Sequence, residues 1–386
     1  MKKLIIIIPL ILTLTGCFNY RELNELAIVS GISITKEGDD IKVTTEVINA
    51  KKEQDASKGN EPGFIIYSAK AKSVQEAIRK TIKESPQKMY GAHIEILVID
   101  EKLAKENLME ILDFFARDPE IRSEFKVLIG KSNNILEITT PLENISSQNI
   151  LDSLQNNNRY LGYANVVTYH ELLSNTLNPN IELALPVLTI KGNQKEGEEK
   201  ENIEKTKNEA TSIIEGMAIF KNNKLKGYLT ENEELAYNII NNGAKNFFIR
   251  TSKQKNQYIV HEIIRFKSSV EFNKEKKQIE ITIKGKSAIA DVNEKINLED
   301  LTQVKQLQKD LNKELSKQIT SSINNIRKKY NSDIFGFADI IYKSDPKYFQ
   351  QIKKDWYNGT FQNMKIKVIS KIEGKEKGNL NRGVYS

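Results

Sequence analysis

The charged and imidazole side chains of this sequence could support acid–base catalysis or metal binding only where the fold brings several of them together. The densest charge cluster with apolar neighbours comprises Asp113, Arg117, Asp118 and Arg122. Asp113 and Arg117 are four residues apart, which is the spacing of an ion pair on one face of a helix. A catalytic carboxylate needs a second positioned group, and none is visible here. We therefore interpret Asp113, Arg117 and Asp118 as structural or interface residues.

The remaining candidates for chemistry are sparse. His93, His170 and His261 lie far apart, without the paired spacing of metal ligands. No Gly-x-Ser-x-Gly elbow, Gly-rich phosphate loop or His-Glu-x-x-His motif is present. The sequence thus predicts no catalytic residue, no metal, no cofactor and no enzymatic activity. Trp356, the sole tryptophan, could anchor an interface or a core, and we favour the core.

The one cysteine, Cys17, has the strongest chemical context. Lys2 and Lys3 precede an apolar run from Leu4 to Leu14, which is too short to span a bilayer comfortably and is typical of a secretory signal. The segment Leu14-Thr15-Gly16-Cys17 resembles a bacterial lipobox, in which a diacylglyceryl group with palmitate-type chains joins the thiol and the chain is cut between Gly16 and Cys17. Two acyl chains anchor a protein stably. We predict signal cleavage there and lipidation of Cys17.

Composition excludes several classes of protein. The 386 residues carry 58 Lys+Arg and 51 Asp+Glu, and removal of residues 1–16, with two lysines and no acid, lowers the net charge from +7 to +5. The basic residues are interspersed with acids, so no nucleic-acid partner is expected, although a mild positive charge favours anionic lipid headgroups. A mean hydropathy of −0.48 excludes a polytopic membrane protein. One cysteine excludes an intramolecular disulfide.

Hydrophobic patterning predicts an α+β protein with three mixed α/β domains, largely antiparallel or mixed sheets, and a long amphipathic helix in the third. That helix carries apolar residues at intervals of three or four from Leu298 to Ile326. It could form a coiled-coil seam, but we favour packing on its own sheet. A strand over 181–190 places Pro186 near a sheet edge. The predicted division is a signal peptide (1–16), a tether (17–22), domains at 23–140, 141–257 and 258–374, a flexible charged excursion at 191–209, and a disordered tail (375–386).

Several segments, in order, resemble the Ger(x)C family of spore germination lipoproteins. These segments are Cys17-Phe-Asn-Tyr-Arg-Glu-Leu23, Leu26–Ser33, Leu112-Asp-Phe-Phe-Ala-Arg-Asp-Pro-Glu-Ile-Arg122, Glu215–Lys221, Lys224–Leu229 with Glu233-Glu234, and Asp333–Phe337 with Pro346 and Trp356. Each segment alone is weak, but together they run from the signal peptide to about Gly374. The sequence departs from the family at Phe18-Asn19, where Trp-Asp is common, and at Met217, where a smaller residue is common.

The resemblance implies a function that periodicity does not reveal. Members of this family are lipid-anchored, non-catalytic C subunits of nutrient germinant receptors. They work with integral membrane A and B subunits at the outer face of the spore inner membrane, where nutrients trigger germination. They are built from three mixed α/β domains. The resemblance therefore predicts the same role, location and partners for this chain, with the membrane reached through the diacylglyceryl group on Cys17.

Two alternatives remain open from the residues. A lipid-anchored extracytoplasmic solute-binding protein would use repeated βαβ units around a cleft, against which the long antiparallel-looking runs at 258–290 argue. Tight binding of amino acids, sugars or nucleosides in a calorimetric titration would favour that protein class. An exported hydrolase would need two carboxylates or a Ser–His pair within hydrogen-bond reach.

Overall fold

The computed structural model describes residues 22, 25–49, 63–138, 145–199, 201–252, 257–293 and 296–376. Helices accompany two mixed sheets, so the predicted α+β class is confirmed. Gly16, Cys17, the signal peptide and residues 377–386 of the tail lie outside the described residues. In the part of the chain that is described, no helix has both the length and the apolar character needed to cross a membrane.

The first sheet is built from nine described strands in the order β3-β2-β1-β5-β6-β7-β8-β9, with β4 beside the start of β1. The β1–β5, β5–β6 and β6–β7 pairs are parallel, as is β1–β4, and the others are antiparallel. The bounds are β1 (Leu26–Glu37), β2 (Asp40–Ile48), β3 (Phe64–Ala71), β4 (Lys88–Tyr90), β5 (Ile96–Asp100), β6 (Lys126–Gly130), β7 (Ala184–Gly192), β8 (Ala210–Lys221) and β9 (Lys224–Tyr228).

Helices cover both faces of this sheet, because its central strands are apolar on both sides. On β5, Leu97 and Ile99 face one core and Ile96 and Val98 face the other. The helices of this part are α1 (Val74–Lys80), α2 (Glu101–Glu106), α3 (Leu108–Arg117), α4 (Ser146–Asn156), α5 (Tyr169–Thr176), α6 (Gln194–Gly197), α7 (Glu201–Glu204) and α8 (Glu231–Ile240).

The second sheet has the order β10-β11-β12-β13, and only its β12–β13 pair is parallel. The predicted apolar stripe of the long helix α9 is buried against it from Leu307 to Ile326, whereas Leu301 is 69% exposed. The elements are β10 (Phe247–Thr251), β11 (Ile259–Asn273), β12 (Gln278–Val292), α9 (Leu301–Tyr330), α10 (Phe337–Ser344), α11 (Pro346–Ile352), α12 (Phe361–Asn363) and β13 (Lys365–Glu376).

Helix α9 also covers the outer edge of β13. The Asn312 side chain donates to the Ile372 carbonyl (3.0 Å) and accepts from the Ile372 N–H (2.7 Å), and Ser316 Oγ accepts from the Ser370 N–H (3.2 Å). Unpaired edge groups invite pairing with other chains. These side chains satisfy part of that edge within the molecule.

The sheets run across both predicted domain boundaries, and the three-domain division stays a prediction. Parallel pairing of Ile129 with Val187 joins β6 to β7 across residue 140. Pairing of Phe247 with Ile263 places β10, which the sequence assigns to the second domain, in the second sheet. Two parallel strands of one sheet are joined by a long crossover, and no short sequence pattern shows that the two strands pair. A turn-rich stretch within such a crossover therefore resembles a domain boundary.

Residues 191–209, which composition predicts to be a flexible excursion, contain secondary structure where they are described. In the described part of this segment, β7 ends, α6 and α7 follow and β8 begins. The buried Asn202 amide donates to the Ala210 carbonyl (3.1 Å) and accepts from the Glu209 N–H (2.8 Å) and the Ala210 N–H (3.2 Å). One buried amide thus organises a segment with almost no apolar side chain, which an average over composition does not register.

Candidate functional site

A groove of about 690 Å³ lies between α1 and α3 on one face of the first sheet. Its apolar floor includes Ile78, Ile82, Met89, Ile111 and Phe114. Ile82 is 54% exposed, although such a side chain is usually buried. We call this feature the α1–α3 groove. Charged side chains form its rim, and three of the predicted site residues are among them: Asp113, Arg117 and Asp118.

Asp113 and Arg117 form a bidentate ion pair on the outer face of α3. Arg117 Nε donates to Asp113 Oδ2 (2.7 Å), and its Nη2 donates to Oδ1 (3.0 Å). The hydrogen bond from Arg117 lowers the pKa of the Asp113 carboxyl. Both side chains are more than half exposed, so solvent screens the pair and it contributes little to folding. The pair instead presents a fixed charge pattern at the groove.

Asp118 shapes the rim where α3 ends. Its main-chain N–H donates to the Phe114 carbonyl (3.3 Å), and its carboxylate accepts from the Glu120 N–H (2.9 Å). Lys88 Nζ then donates to both oxygens of Glu120 at 2.6 and 2.7 Å, which ties this turn to β4. Asp118 therefore holds the backbone of the rim in place.

Trp356 lies apart from the groove, in the core beneath the second sheet. It is 4% exposed and its ring centroid is 5.4 Å from that of Phe361. Its indole N–H has no hydrogen-bond partner among the described residues. The structure thus brings Asp113, Arg117 and Asp118 together and places Trp356 elsewhere, in core surroundings.

The histidines are scattered in the fold as they are in the sequence. His93 and His170 are exposed, while His261 is buried with its Nε2 3.2 Å from Thr251 Oγ1. Burial lowers the pKa of His261 to about 4, so it is neutral at physiological pH. Among the residues that the structure describes, no group of three or more His, Cys, Asp or Glu side chains could hold a metal ion.

The charge and apolar surface of the α1–α3 groove suit the docking of another chain.

Sequence reasoning missed a buried junction between the two sheets. The main-chain N–H of Glu182, just before β7, donates to the carbonyl of Asp333 (3.1 Å). The fully buried Asp333 carboxyl accepts from the N–H groups of Phe337 (3.0 Å) and Ala338 (2.8 Å) at the start of α10. Gly336, which lies between Asp333 and Phe337 in the chain, has φ +68°, a left-handed conformation that glycine adopts readily. Asp333 stands three residues before the N-cap Gly336, so a search for a capping side chain at the N-cap position does not identify it.

Burial governs the ionisation of this junction. It raises the pKa of Asp333 to about 7, and the charge of Glu182 adds to that effect. Burial lowers the pKa of the Arg327 guanidinium, and the nearby charge of Asp333 opposes that effect only in part. A cleft of about 590 Å³ adjoins the junction and is lined in part by His170, Glu171 and Tyr237.

Comparisons with known proteins agree with one another. Residues 19–190 match a family model described as the spore germination protein N-terminal domain, and residues 215–378 match one described as spore germination B3/GerAC like, C-terminal. The chain is 26% identical to spore germination protein KC of Bacillus subtilis over 361 residues, covering 90% of this chain and 88% of the relative. It is 20% identical to spore germination protein GerQC of Bacillus cereus over 321 residues, covering 80% and 81%. The crystal structure of the GerBC protein superposes with a TM-score of 0.51 at 16% identity, covering 89% of this chain and 96% of that one, and shares its fold.

Proposed function

Since the chain belongs to the spore germination family whose N- and C-terminal domains it matches, we propose that it is the C subunit of a nutrient germinant receptor. The match of both family domains, in order and over most of the chain, carries this proposal. The subunit performs no catalysis. It holds a folded body against integral membrane A and B subunits at the outer face of the spore inner membrane, where it stabilises or couples their response to nutrient.

Membrane attachment in this proposal rests on Cys17. The segment Leu14-Thr15-Gly16-Cys17 has a small residue before the cut and the sulfur that accepts the diacylglyceryl group. Leu26, where β1 begins, is nine positions after Cys17. An extended chain of that length spans up to about 30 Å, so the body stays close to the bilayer.

Cys17→Ala is expected to move the protein out of the membrane fraction while the body remains folded, because two acyl chains supply the anchoring. Germination in response to nutrient should then be impaired. Fractionation of spores and a nutrient-germination assay measure the two effects. Asn19→Ala, which leaves the thiol in place, serves as the control and should behave as wild type. Membrane retention together with normal germination of the Cys17→Ala protein would refute the anchoring role.

The α1–α3 groove is the place that we assign to partner contact. Its rim carries the segment that resembles the family signature, and its floor exposes Ile82 beside fixed charges. Exposed apolar surface rimmed by charges is a feature of docking sites. The Asp113–Arg117 pair contributes little to the fold, so its geometry is available to another chain.

Arg117→Asp is expected to lower the recovery of the A and B subunits in co-purification about tenfold, the effect of losing one charge-assisted contact. The matched control is Lys205→Glu, which reverses the charge in an equally simple exposed pair, Lys205–Glu209 (2.8 Å), away from the groove. The control should recover both partners at the wild-type level. Equal recovery with the two variants would remove the groove from the partner interface.

A further inference from the structure

The outer face of the second sheet carries a row of three lysines that the strand register brings side by side. Lys267 on β11 is paired with Lys284 on β12, and Lys284 is paired with Lys371 on β13. All three side chains are exposed, whereas their sequence neighbours Ser268, Ile283 and Ile372 are buried on the opposite face. We call these three residues the lysine row. Adjacent strands are about 4.8 Å apart, so the row spans about 10 Å.

This arrangement has a cost for the folded protein. Like charges placed directly opposite each other on neighbouring strands destabilise a sheet. None of the three lysines makes an ion pair with a carboxylate of the described residues. A partner that supplies negative charge would remove the repulsion, so the row has the properties of a binding surface.

The neighbouring rows leave that positive charge largely uncompensated. On one side lie the uncharged residues Ser269, Thr282 and Ile369, in register with one another. On the other side, Lys286 is paired with Glu373, which compensates one further lysine. The exposed Arg265 lies in the adjoining bulge, where the β11–β12 register shifts. The net charge next to the row is therefore positive, while Glu271 and Glu280 lie two rows away on the same face.

We propose that the lysine row binds the anionic headgroups of a phospholipid bilayer. Lysine is a hydrated point charge on a flexible stem, which suits a diffuse layer of phosphates better than the fixed geometry of a single carboxylate. The row has no aromatic or large apolar anchor in it, whereas the core of a protein interface normally has one. Anchoring through Cys17, which belongs to the proposed function, keeps the folded body near a bilayer.

Co-sedimentation with vesicles tests the proposal. The mature chain, residues 17–386, carries Cys17→Ala so that acyl chains make no contribution. It should bind vesicles of phosphatidylcholine mixed with phosphatidylglycerol, should not bind phosphatidylcholine alone, and should dissociate as salt is raised. The triple variant Lys267→Gln, Lys284→Gln, Lys371→Gln should lose about a hundredfold in partitioning, because each lysine near an anionic surface contributes roughly a factor of five.

A matched triple variant separates the row from general charge. Lys102→Gln, Lys224→Gln and Lys226→Gln remove the same charge from exposed positions on and beside the first sheet, and should leave binding unchanged. The thermal midpoint of the lysine-row variant at low salt should equal or exceed that of wild type, since repulsion is relieved. Absence of wild-type binding at low salt, or equal loss in both triple variants, would overturn the proposal. The protein in this assay carries no acyl chains, so its result does not depend on whether Cys17 is lipidated. Failure of the lysine-row proposal is therefore distinguishable from failure of the anchoring proposal.

Discussion

Asp333→Ala is expected to lower the free energy of unfolding at pH 5 by about 3 kcal/mol, because two buried N–H groups lose their acceptor. Those N–H groups belong to Phe337 and Ala338 and lie at the start of α10. The residue is fully buried, so water does not replace the lost carboxyl without a rearrangement. Urea unfolding of the purified chain, followed by circular dichroism, measures the change.

The pH dependence of this effect has a definite sign. The pKa of Asp333 is about 7 in the folded chain, against 3.8 for the unperturbed group, and burial is the main cause. A raised folded pKa means that the stabilising contribution is fully present below the unfolded pKa and is lost as the pH rises through about 7. Wild type should therefore gain stability from Asp333 when the pH falls from 8 to 5. Of that interval about two pH units lie below the folded pKa, so the linked free energy is about 3 kcal/mol.

Asp333→Asn supplies the matched control for that sign. The amide retains one acceptor oxygen and does not ionise, so this variant should lack the part of the pH dependence that Asp333 provides. The stability of wild type minus that of the Asn variant should be larger at pH 5 than at pH 8. Glu234, whose pKa burial also raises to about 7, remains in both proteins and cancels in the difference. A difference that does not change with pH would show that Asp333 is ionised in the fold throughout this range.

Glu46→Ala is expected to destabilise the first sheet by about 3 kcal/mol. The Glu46 carboxyl is fully buried on β2 and accepts hydrogen bonds from Ser30 Oγ (2.7 Å), from the Ser147 N–H (3.2 Å) and from Ser147 Oγ. The Ser147 N–H lies in the first turn of α4, where main-chain donors lack partners within the helix. Removal of the side chain leaves three buried polar groups without their acceptor, and each costs about 1 kcal/mol or more.

Two variants define what the Glu46 measurement means. Glu46→Gln keeps one acceptor oxygen but places an amide NH₂ group opposite hydrogen-bond donors. We therefore expect the free energy of unfolding to fall by about 1–2 kcal/mol, less than for Glu46→Ala. Glu37→Ala removes a partly exposed acid from the neighbouring hairpin end, where it pairs with Lys70, and should change the midpoint of urea unfolding little. Comparable stability of wild type and Glu46→Ala would mean that water or a side-chain rearrangement satisfies the three donors.

Burial also raises the pKa of Glu46, so its contribution to the free energy of unfolding likewise falls as the pH rises.

Local sequence patterns predicted the individual elements well where their chemistry is complete within a short segment. Two apolar-rich runs at 26–35 and 41–48 flank a polar turn sequence and form the β1–β2 hairpin. Thr230-Glu-Asn-Glu233 has the sequence of a capping box and begins α8. Side chains adjacent in sequence supply both the turn and the hydrogen bonds in these cases. The apolar spacing over 103–115 is that of one helix, yet α2 and α3 are separate, because Asn107 is extended and caps α3 with its own side chain.

The candidate site could be predicted only in part. Asp113, Arg117 and Asp118 were recognised as a cluster, but the groove beside them needs α1, which lies about thirty residues earlier in the chain. Pro186, predicted near an edge, lies in the interior strand β7, at the point where its register with β8 shifts. Proline has no N–H to donate to a neighbouring strand. A register shift leaves one position without a ladder hydrogen bond, so proline is tolerated there inside the sheet.

The sequence by itself determined the α+β class, the apolar stripe of α9 and the family, and it predicts lipidation of Cys17, since each depends on residues close together in the chain or on their order along it. Only the tertiary structure decided which strands share a sheet, that Glu46 and Asp333 are buried at helix starts, and that Lys267, Lys284 and Lys371 stand in one row. Those outcomes depend on register between distant strands, which is set by burying one face of each strand against a common core.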